Sequence, residues 1–467
     1  MSRPEPCGHE LLPGRRGPVS GPDRDTIFAL ASGPGTGGLQ VVRVSGPAAG
    51  PALLALTSLR GLPPARRAVL AAVHAPDGEV FDHGLLLWFP GPASFTGEDV
   101  LELHLHGGRA VFRAATEALL AVPGLRLAEP GEFSRRAFEH GKFDLTAAEA
   151  IADLVAAETA AQRRQALRQM AGALGELYDG WRDRLLRALA HLEAEIDFPE
   201  EDLPGGIAAN VRAAAAGLAG EIATHLAEAP KGLRLRDGLS VAIVGPPNAG
   251  KSSLINMLAG REAAIVSARA GTTRDVIEVH LDLGGYPAVL ADTAGLREAA
   301  DDPVEAEGVR RALARAAEAD LKLVLVEAAG WPELPPEVLP LLDRDAILLL
   351  TKTDLGAPAA PLSHPSGMPV LAVSVREGTG VASLLAALQA ALEARMAPGA
   401  APALTRIRHR QALEECLSAL RRFGSAEALE LAAEDLRLAA RALGRITGRV
   451  SVEDMLDIVF RDFCIGK

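Results

Sequence analysis

The sequence predicts a multidomain chain of the α/β plus α class: an N-terminal α+β domain, then a helical domain interrupted by an inserted α/β domain with a mixed sheet. Three observations predict it. The chain has 467 residues, too many for one hydrophobic core and in keeping with about three domains. Apolar periodicity turns from strand-like to helical near Leu145 and changes again near Leu239. At 239–258 a Gly-rich loop joins a strand-like run to a helical one, the join found in the strand–loop–helix unit of phosphate-binding α/β folds.

Residues 1–24 are rich in Pro, Gly and Arg and have no apolar core segment, so a disordered leader is expected there and not a secretory signal. The α+β domain is placed at 25–141. Thr26-Ile-Phe-Ala-Leu, Leu39-Gln-Val-Val-Arg-Val, Leu85-Leu-Leu-Trp-Phe and Val100-Leu-Glu-Leu-His-Leu-His read as strands, and 109–121 reads as a helix. The first part of the helical domain is placed at 142–237. There Leu167, Met170, Leu174, Leu177, Trp181, Leu185, Leu189, Leu192 and Ile196 recur at spacings of three and four as one apolar stripe. The breaker cluster Asp197-Phe-Pro-Glu-Glu-Asp-Leu-Pro-Gly-Gly ends that run, and a second helix follows from Ile207. The inserted domain is placed at 238–397, and the second helical part at 398–467. Neither helical block looks self-sufficient, so the two are expected to pack together.

Hydrophobic residues make up 48% and charged residues 23%, ordinary composition for a globular chain. No run of about 18 apolar residues occurs, so no membrane association is expected. Three scattered cysteines, Cys7, Cys416 and Cys464, make neither a disulfide framework nor a zinc site, and a cytoplasmic location is the default. The net charge of −12 leaves no global nucleic-acid footprint. An RNA partner would need a local basic patch or another subunit. Only six of the 48 Lys and Arg residues are lysine; where lysine persists, a compact ammonium is favoured over a forked guanidinium.

Leu239-Ser-Val-Ala-Ile-Val runs into Gly245-Pro-Pro-Asn-Ala-Gly-Lys-Ser and then into Ser253-Leu-Ile-Asn-Met-Leu. This is the phosphate loop G-x-x-x-x-G-K-S in its strand–loop–helix context. Its glycines let backbone N–H groups wrap phosphates, and the helix N-terminus adds a favourable dipole. Asn248, Ala249, Gly250, Lys251, Ser252 and Ser253 thus form the first nucleotide-binding set, with Lys251 reaching the β- and γ-phosphates and Ser252 a Mg²⁺ ligand. Ser267, Ala268, Arg269, Ala270, Gly271, Thr272 and Thr273 form the second, resembling a first switch in which Thr273 also ligates Mg²⁺. Asp292, Thr293, Ala294 and Gly295 form the third, with Asp292 the outer-sphere Mg²⁺ partner and Gly295 a γ-phosphate sensor. Thr351-Lys-Thr-Asp is the guanine element, in which Asp354 accepts from both guanine N–H donors, and Ser374 belongs to the last motif.

Four motifs in this order resemble a Ras-like P-loop GTPase domain. The usual guanine element, Asn-Lys-x-Asp, reads Thr351-Lys352-Thr353-Asp354 here, so one hydroxyl replaces an amide. The glutamine that orients water in Ras-type enzymes is replaced by Leu296, and an acidic run from Glu298 to Glu307 follows. Asn248 offers an amide oxygen for a K⁺ ion beside the β- and γ-phosphates, which would neutralise charge as an arginine finger does.

Further motifs are Phe89-Pro-Gly-Pro-Ala-Ser-Phe-Thr-Gly-Glu, Pro130-Gly-Glu-Phe-Ser-Arg-Arg-Ala-Phe, Asp144-Leu-Thr-Ala-Ala-Glu-Ala-Ile and the terminal Phe463-Cys-Ile-Gly-Lys. With the GTPase motifs, they make residues 25–467 resemble the tRNA modification GTPase MnmE (TrmE) family. The resemblance implies an N-terminal dimerisation domain that binds a tetrahydrofolate derivative, 5-formyl- or methylene-tetrahydrofolate, as the one-carbon source. It implies a homodimer, a flavoprotein partner, MnmG, in a hetero-oligomer, and addition of an aminomethyl-type group to C5 of the wobble uridine of certain tRNAs. It implies GTP, Mg²⁺ and K⁺. Carried over by motif, the folate residues are Arg43, Glu102, Lys142 and Lys467. The K⁺ ligands are Asn248, Ser267, Arg269 through its backbone, and Thr272. Glu305 is the general base and Cys464 the family's C-terminal thiol. Arg43 and Glu102 also fit a plain surface ion pair, and His104 and His106 fit ordinary strand residues better than a metal site. The alternative is a ribosome-assembly or signalling GTPase that binds RNA without modifying it. The P-loop domain does not separate the two; the Phe-Pro-Gly-Pro segment and the C-terminal motif favour tRNA modification.

Overall fold

A computed structural model of the chain describes residues 25–33, 35–197, 207–261, 264–265, 278–292, 316–359, 361–364, 368–397, 399, 401–450, 456, 459–461, 463 and 465–466. The chain divides into two compact units, residues 1–152 with 447–467, and residues 153–446.

The first unit is built on β1 (Thr26–Leu30), β2 (Gly37–Ser45), β3 (Val69–His74), β4 (Val80–Phe89), β5 (Val100–Gly107) and β6 (Leu125–Leu127), in the order β3-β4-β5-β2-β1-β6. All neighbours are antiparallel except β6, which runs parallel to β1. Period-2 patterning fixes which side is buried. Val42, Val44, Leu101, Leu103 and Leu105 pack with Leu53 and Leu56 of α1 (Ala49–Leu56) and Ala115 and Leu119 of α2 (Arg109–Leu120). Arg43, Glu102 and His104 are the alternating residues left for the opposite face. The helices α3 (Glu132–Glu139) and α4 (Leu145–Ala156) follow, and Phe138, Leu145 and Ala148 share a small core with Leu456, Phe460 and Phe463. Gly466, at φ +97°, passes so close to the Leu30 carbonyl that a Cβ there would collide with it.

In the second unit a seven-stranded sheet has the order β13-β12-β11-β7-β10-β9-β8. Its strands are β7 (Leu239–Val244), β8 (Ala264–Ile265), β9 (Glu278–Leu283), β10 (Tyr286–Asp292), β11 (Leu321–Glu327), β12 (Ala346–Thr351) and β13 (Val370–Ala372). Five are parallel, and β9 and β8 add an antiparallel edge, so the sheet is mixed as expected. Along β7, Leu239, Val241 and Ile243 enter one core while Ala242 and Val244 enter another on the opposite face. Burial on both faces explains why these strands read as unbroken apolar runs.

The helices α5 (Ala160–Met170), α6 (Ala173–Asp197), α7 (Ile207–Ala227) and α8 (Ala229–Asp237) precede this sheet, and the helices Ile407–Ser425 and Leu429–Thr447 follow it. Residues from both sides of the insertion, among them Tyr178, Trp181, Leu192, Leu218, Leu413, Phe423, Leu436 and Leu443, form one core. Within it the Tyr178 hydroxyl and His225 Nε2 lie 3.0 Å apart, and burial holds the imidazole pKa below its ordinary value. The apolar stripe expected from Leu167 to Ile196 is corrected in one respect. The chain breaks at Gly172, which adopts φ +94°, so Leu167 and Met170 lie on the separate helix α5 and are exposed.

Candidate functional site

Strand β7 delivers the chain to Gly245, which passes under the Leu325 carbonyl so closely that a Cβ would collide. Asn248 (φ +62°) and Gly250 (φ +89°) then turn the backbone through the left-handed region. Such successive turns aim backbone N–H groups into a concavity suited to anions. Gly250 starts α9 (Lys251–Ala259) with no side-chain cap, so the first-turn N–H groups and the positive end of the helix dipole remain for a ligand. Ala249 is buried, while Ser252 and Ser253 are exposed on that first turn. Lys251 Nζ donates to the carbonyls of Gly245 (2.9 Å) and Pro246 (2.8 Å) across the loop. A phosphate oxygen is a stronger acceptor than either.

The guanine element lies on the same edge of the sheet. All six residues of β12 are buried, and its last, Thr351, directs Oγ1 to the carbonyls of Ala249 (2.8 Å) and Val326 (3.2 Å). The hydroxyl that replaces the usual amide therefore still fastens this element to the phosphate loop. Lys352 adopts φ +58° and its ammonium meets Glu327. Asp354 Oδ1 accepts from Ser374 Oγ at 2.8 Å. Ser374 is fully buried and also accepts from the Glu377 N–H, which fixes the carboxylate's orientation.

Strand β10 runs parallel to β7 with Asp292 opposite Ile243, bringing the third motif to the same end as the loop. The structure thus brings together Asn248–Ser253 with Thr351, Lys352, Asp354 and Ser374 at the carboxyl ends of the parallel strands, where open α/β sheets bind ligands. The side chain of Asp292, and Ser267, Ala268, Arg269, Ala270, Gly271, Thr272, Thr273, Thr293, Ala294, Gly295, Glu305, Cys464 and Lys467, lie outside the described residues.

A second constellation occupies the first unit. Arg43 on β2 stands directly opposite Glu102 on β5, and its Nε and terminal nitrogen donate to Glu102 Oε1 at 3.1 and 2.9 Å. The guanidinium also lies over the rings of Phe95 (5.3 Å) and Phe133 (5.9 Å), a cation–π arrangement. Phe95 is 6.0 Å from Phe143, the neighbour of Lys142, whose Nζ donates to the Pro92 carbonyl at 2.8 Å. Beneath these rings, Ser45, Thr96, Glu98 and Arg136 form a hydrogen-bonded network that pins the loop carrying Phe95. Gly466 packs on Leu30 at the end of β1, one residue from the strand position that pairs with Arg43. His104 and His106 face Glu102 and Asp82. Among the described residues no group of three or more His, Cys, Asp and Glu could hold a metal. The sequence reading missed Phe95 and Phe133, although both lie in motifs it singled out.

A phosphate loop and an Asp354–Ser374 pair at the carboxyl ends of the strands of a mixed sheet define a P-loop GTPase of the Ras type. Residues 145–464 match the family profile described as the MnmE helical domain, and residues 26–142 that of the GTP-binding protein TrmE N-terminus. The tRNA modification GTPase MnmE of Paramagnetospirillum magneticum is 58% identical over 95% of this chain and its own full length. That of Parvibaculum lavamentivorans is 56% identical over the same shares. The mitochondrial 5-taurinomethyluridine-[tRNA] synthase subunit GTPB3 of Rattus norvegicus is 49% identical over 95% of this chain and 93% of its own. The chain belongs to the MnmE (TrmE) family of tRNA modification GTPases.

Proposed function

We propose that the chain hydrolyses GTP at the phosphate-loop edge of its sheet and uses that cycle to modify the wobble uridine of certain tRNAs at C5. The observation that carries this reading is the hydrogen bond from Thr351 to the Ala249 carbonyl, which ties the guanine element to the phosphate loop. There, Asp354 selects guanine and Lys251 and the first turn of α9 hold the phosphates. Ser252 and Thr273 would hold Mg²⁺, with Asp292 behind them. Asn248, already in the left-handed region at φ +62°, exposes its side chain and fits a K⁺ ligand together with Ser267, Arg269 and Thr272. The cation supplies charge neutralisation for phosphoryl transfer. Glu305 would take the proton from the attacking water, since Leu296 has no group to do so.

The folate reading rests on the Arg43–Glu102 pair beside the rings of Phe95 and Phe133, with Lys142 next to Phe143, which packs near Phe95; Lys467 joins it by motif alone. Flat rings beside a fixed guanidinium fit a pterin-type heterocycle with a carboxylate tail. A tetrahydrofolate derivative held there supplies the one-carbon unit. Homodimerisation through the N-terminal domain, the flavoprotein partner MnmG, tRNA as substrate and a cytoplasmic location complete the proposal. Among the described residues no helix is long and apolar enough to cross a membrane.

GTP turnover in K⁺ and in Na⁺ tests the hydrolytic part. Turnover rises in K⁺, and Glu305→Ala lowers it by about 10²-fold or more while guanine-nucleotide affinity holds. Equal rates in the two salts, or an undiminished Glu305→Ala variant, would overturn this mechanism.

A further inference from the structure

On a chain of net charge −12, α5 stands apart. Its sequence, Ala-Ala-Gln-Arg-Arg-Gln-Ala-Leu-Arg-Gln-Met, contains no acidic residue. Ala161, Gln165, Ala166 and Gln169 are buried, and Gln169 Oε1 accepts from Thr405 Oγ1 at 3.1 Å. Arg163, Arg164 and Arg168 are exposed on the other side, with Leu167 between them and Met170 at the edge of the arc beside Arg163. At about 100° per residue these five side chains span one arc of the helix, and Arg164 and Arg168 lie about 6 Å apart along the axis. None of the three arginines has an ion-pair partner among the described residues. Elsewhere on these helices Arg184, Arg410, Arg422, Arg437 and Arg445 each face a carboxylate.

The helix is also fastened to the nucleotide-binding sheet. Thr159 and Gln162 form a capping box at its start. Glu158 meets His280 of β9 at 3.1 Å, and the Ala161 N–H donates to the Gly285 carbonyl at the tip of the β9–β10 hairpin. Gln162 Nε2 donates to the Arg236 carbonyl, three residues before β7. Strand β9 follows the segment bearing Thr273, and β10 ends at Asp292. One helix end thus touches both the last turn of α8, which leads into β7, and the hairpin that lies in sequence between the first-switch segment and Asp292.

We propose that the outer face of α5 is a docking surface for the tRNA phosphate backbone, an inference that rests on the tRNA reading above. Three unpaired guanidinium groups in an acid-free row fit a polyanion, and their planes also stack on splayed bases of a single-stranded loop. This is the local basic patch that an acidic tRNA-acting chain requires. A bound tRNA would pull on the helix that is fastened to the β9–β10 hairpin and to α8.

The test is tRNA binding by the full-length chain, alone and with its flavoprotein partner, across a series of potassium salt concentrations. The triple variant Arg163→Gln, Arg164→Gln, Arg168→Gln keeps helix propensity, and unchanged thermal midpoint and GDP affinity establish that it is folded. Three lost phosphate contacts make the slope of log affinity against log salt shallower by about two and weaken binding at least about tenfold at roughly 0.1 M salt. The corresponding triple lysine variant keeps most of both. Wild-type affinity and slope in the glutamine variant would overturn the surface, as would loss of partner association with tRNA binding intact. A wild-type chain that binds no tRNA even with its partner would overturn the tRNA reading as well.

Discussion

At Thr351 one hydroxyl proton faces two carbonyls, those of Ala249 and Val326, in a site only 2% exposed. A hydroxyl has a single proton, so the short contact to Ala249 carries most of the bond and Val326 shares it. The residue therefore acts on nucleotide affinity by holding the phosphate loop against the guanine element. Thr351→Val keeps the shape and removes the proton, leaving the Ala249 carbonyl without that donor. The expected cost is about 1 kcal/mol, roughly fivefold weaker GTP and GDP binding, read by fluorescent-nucleotide titration. Asp354 is untouched, so guanine remains preferred over adenine. Unchanged affinity would show that the loop is held by other contacts. The contiguous phosphate loop was legible in the sequence because all its chemistry sits within eight residues. The setting of Arg43 was not, because Phe95 comes from a loop and Phe133 from α3, about fifty and ninety residues away, and only the fold puts their rings beside it.

Among the elements, α5 shows where sequence patterning stops. Strands β2, β4 and β5 announced themselves by alternation, β1 and β7 by short apolar runs, and helix α2 by amphipathic spacing. The edge strand β3 and the three-residue β6 are too short or too mixed to do so, and α3 lies in a motif with no long apolar stripe. Helical composition continues from Leu145 to Ile196, so the breaks at 157–159 and 171–172 were invisible to periodicity. The first is defined by the Thr159–Gln162 capping box, a signature visible in the sequence but outweighed by the Ala-rich run. Thr159→Ala removes one half of that box at a buried position. It should lower unfolding stability by about 1 kcal/mol, measured by urea denaturation at unchanged m-value. No loss would mean that Glu158–His280 and Ala161–Gly285 alone fix the start of α5.

For the whole molecule, the two candidate sites fall in different units. One carries the Arg43 constellation and the chain terminus; the other carries the GTPase sheet and the helices that embrace it. Helices before and after the insertion share one core, so the inserted sheet is held at both of its chain ends. The central claim is that GTP hydrolysis on this sheet drives wobble-uridine modification. Mass spectrometry of tRNA nucleosides tests it most directly, in cells lacking the chain and complemented with wild type or with Lys251→Ala. Wild type should restore a C5-modified wobble uridine, and Lys251→Ala should leave it unmodified. Intact wobble modification in the deletion strain, accompanied by defective ribosomal subunits, would contradict that claim and point to an assembly GTPase.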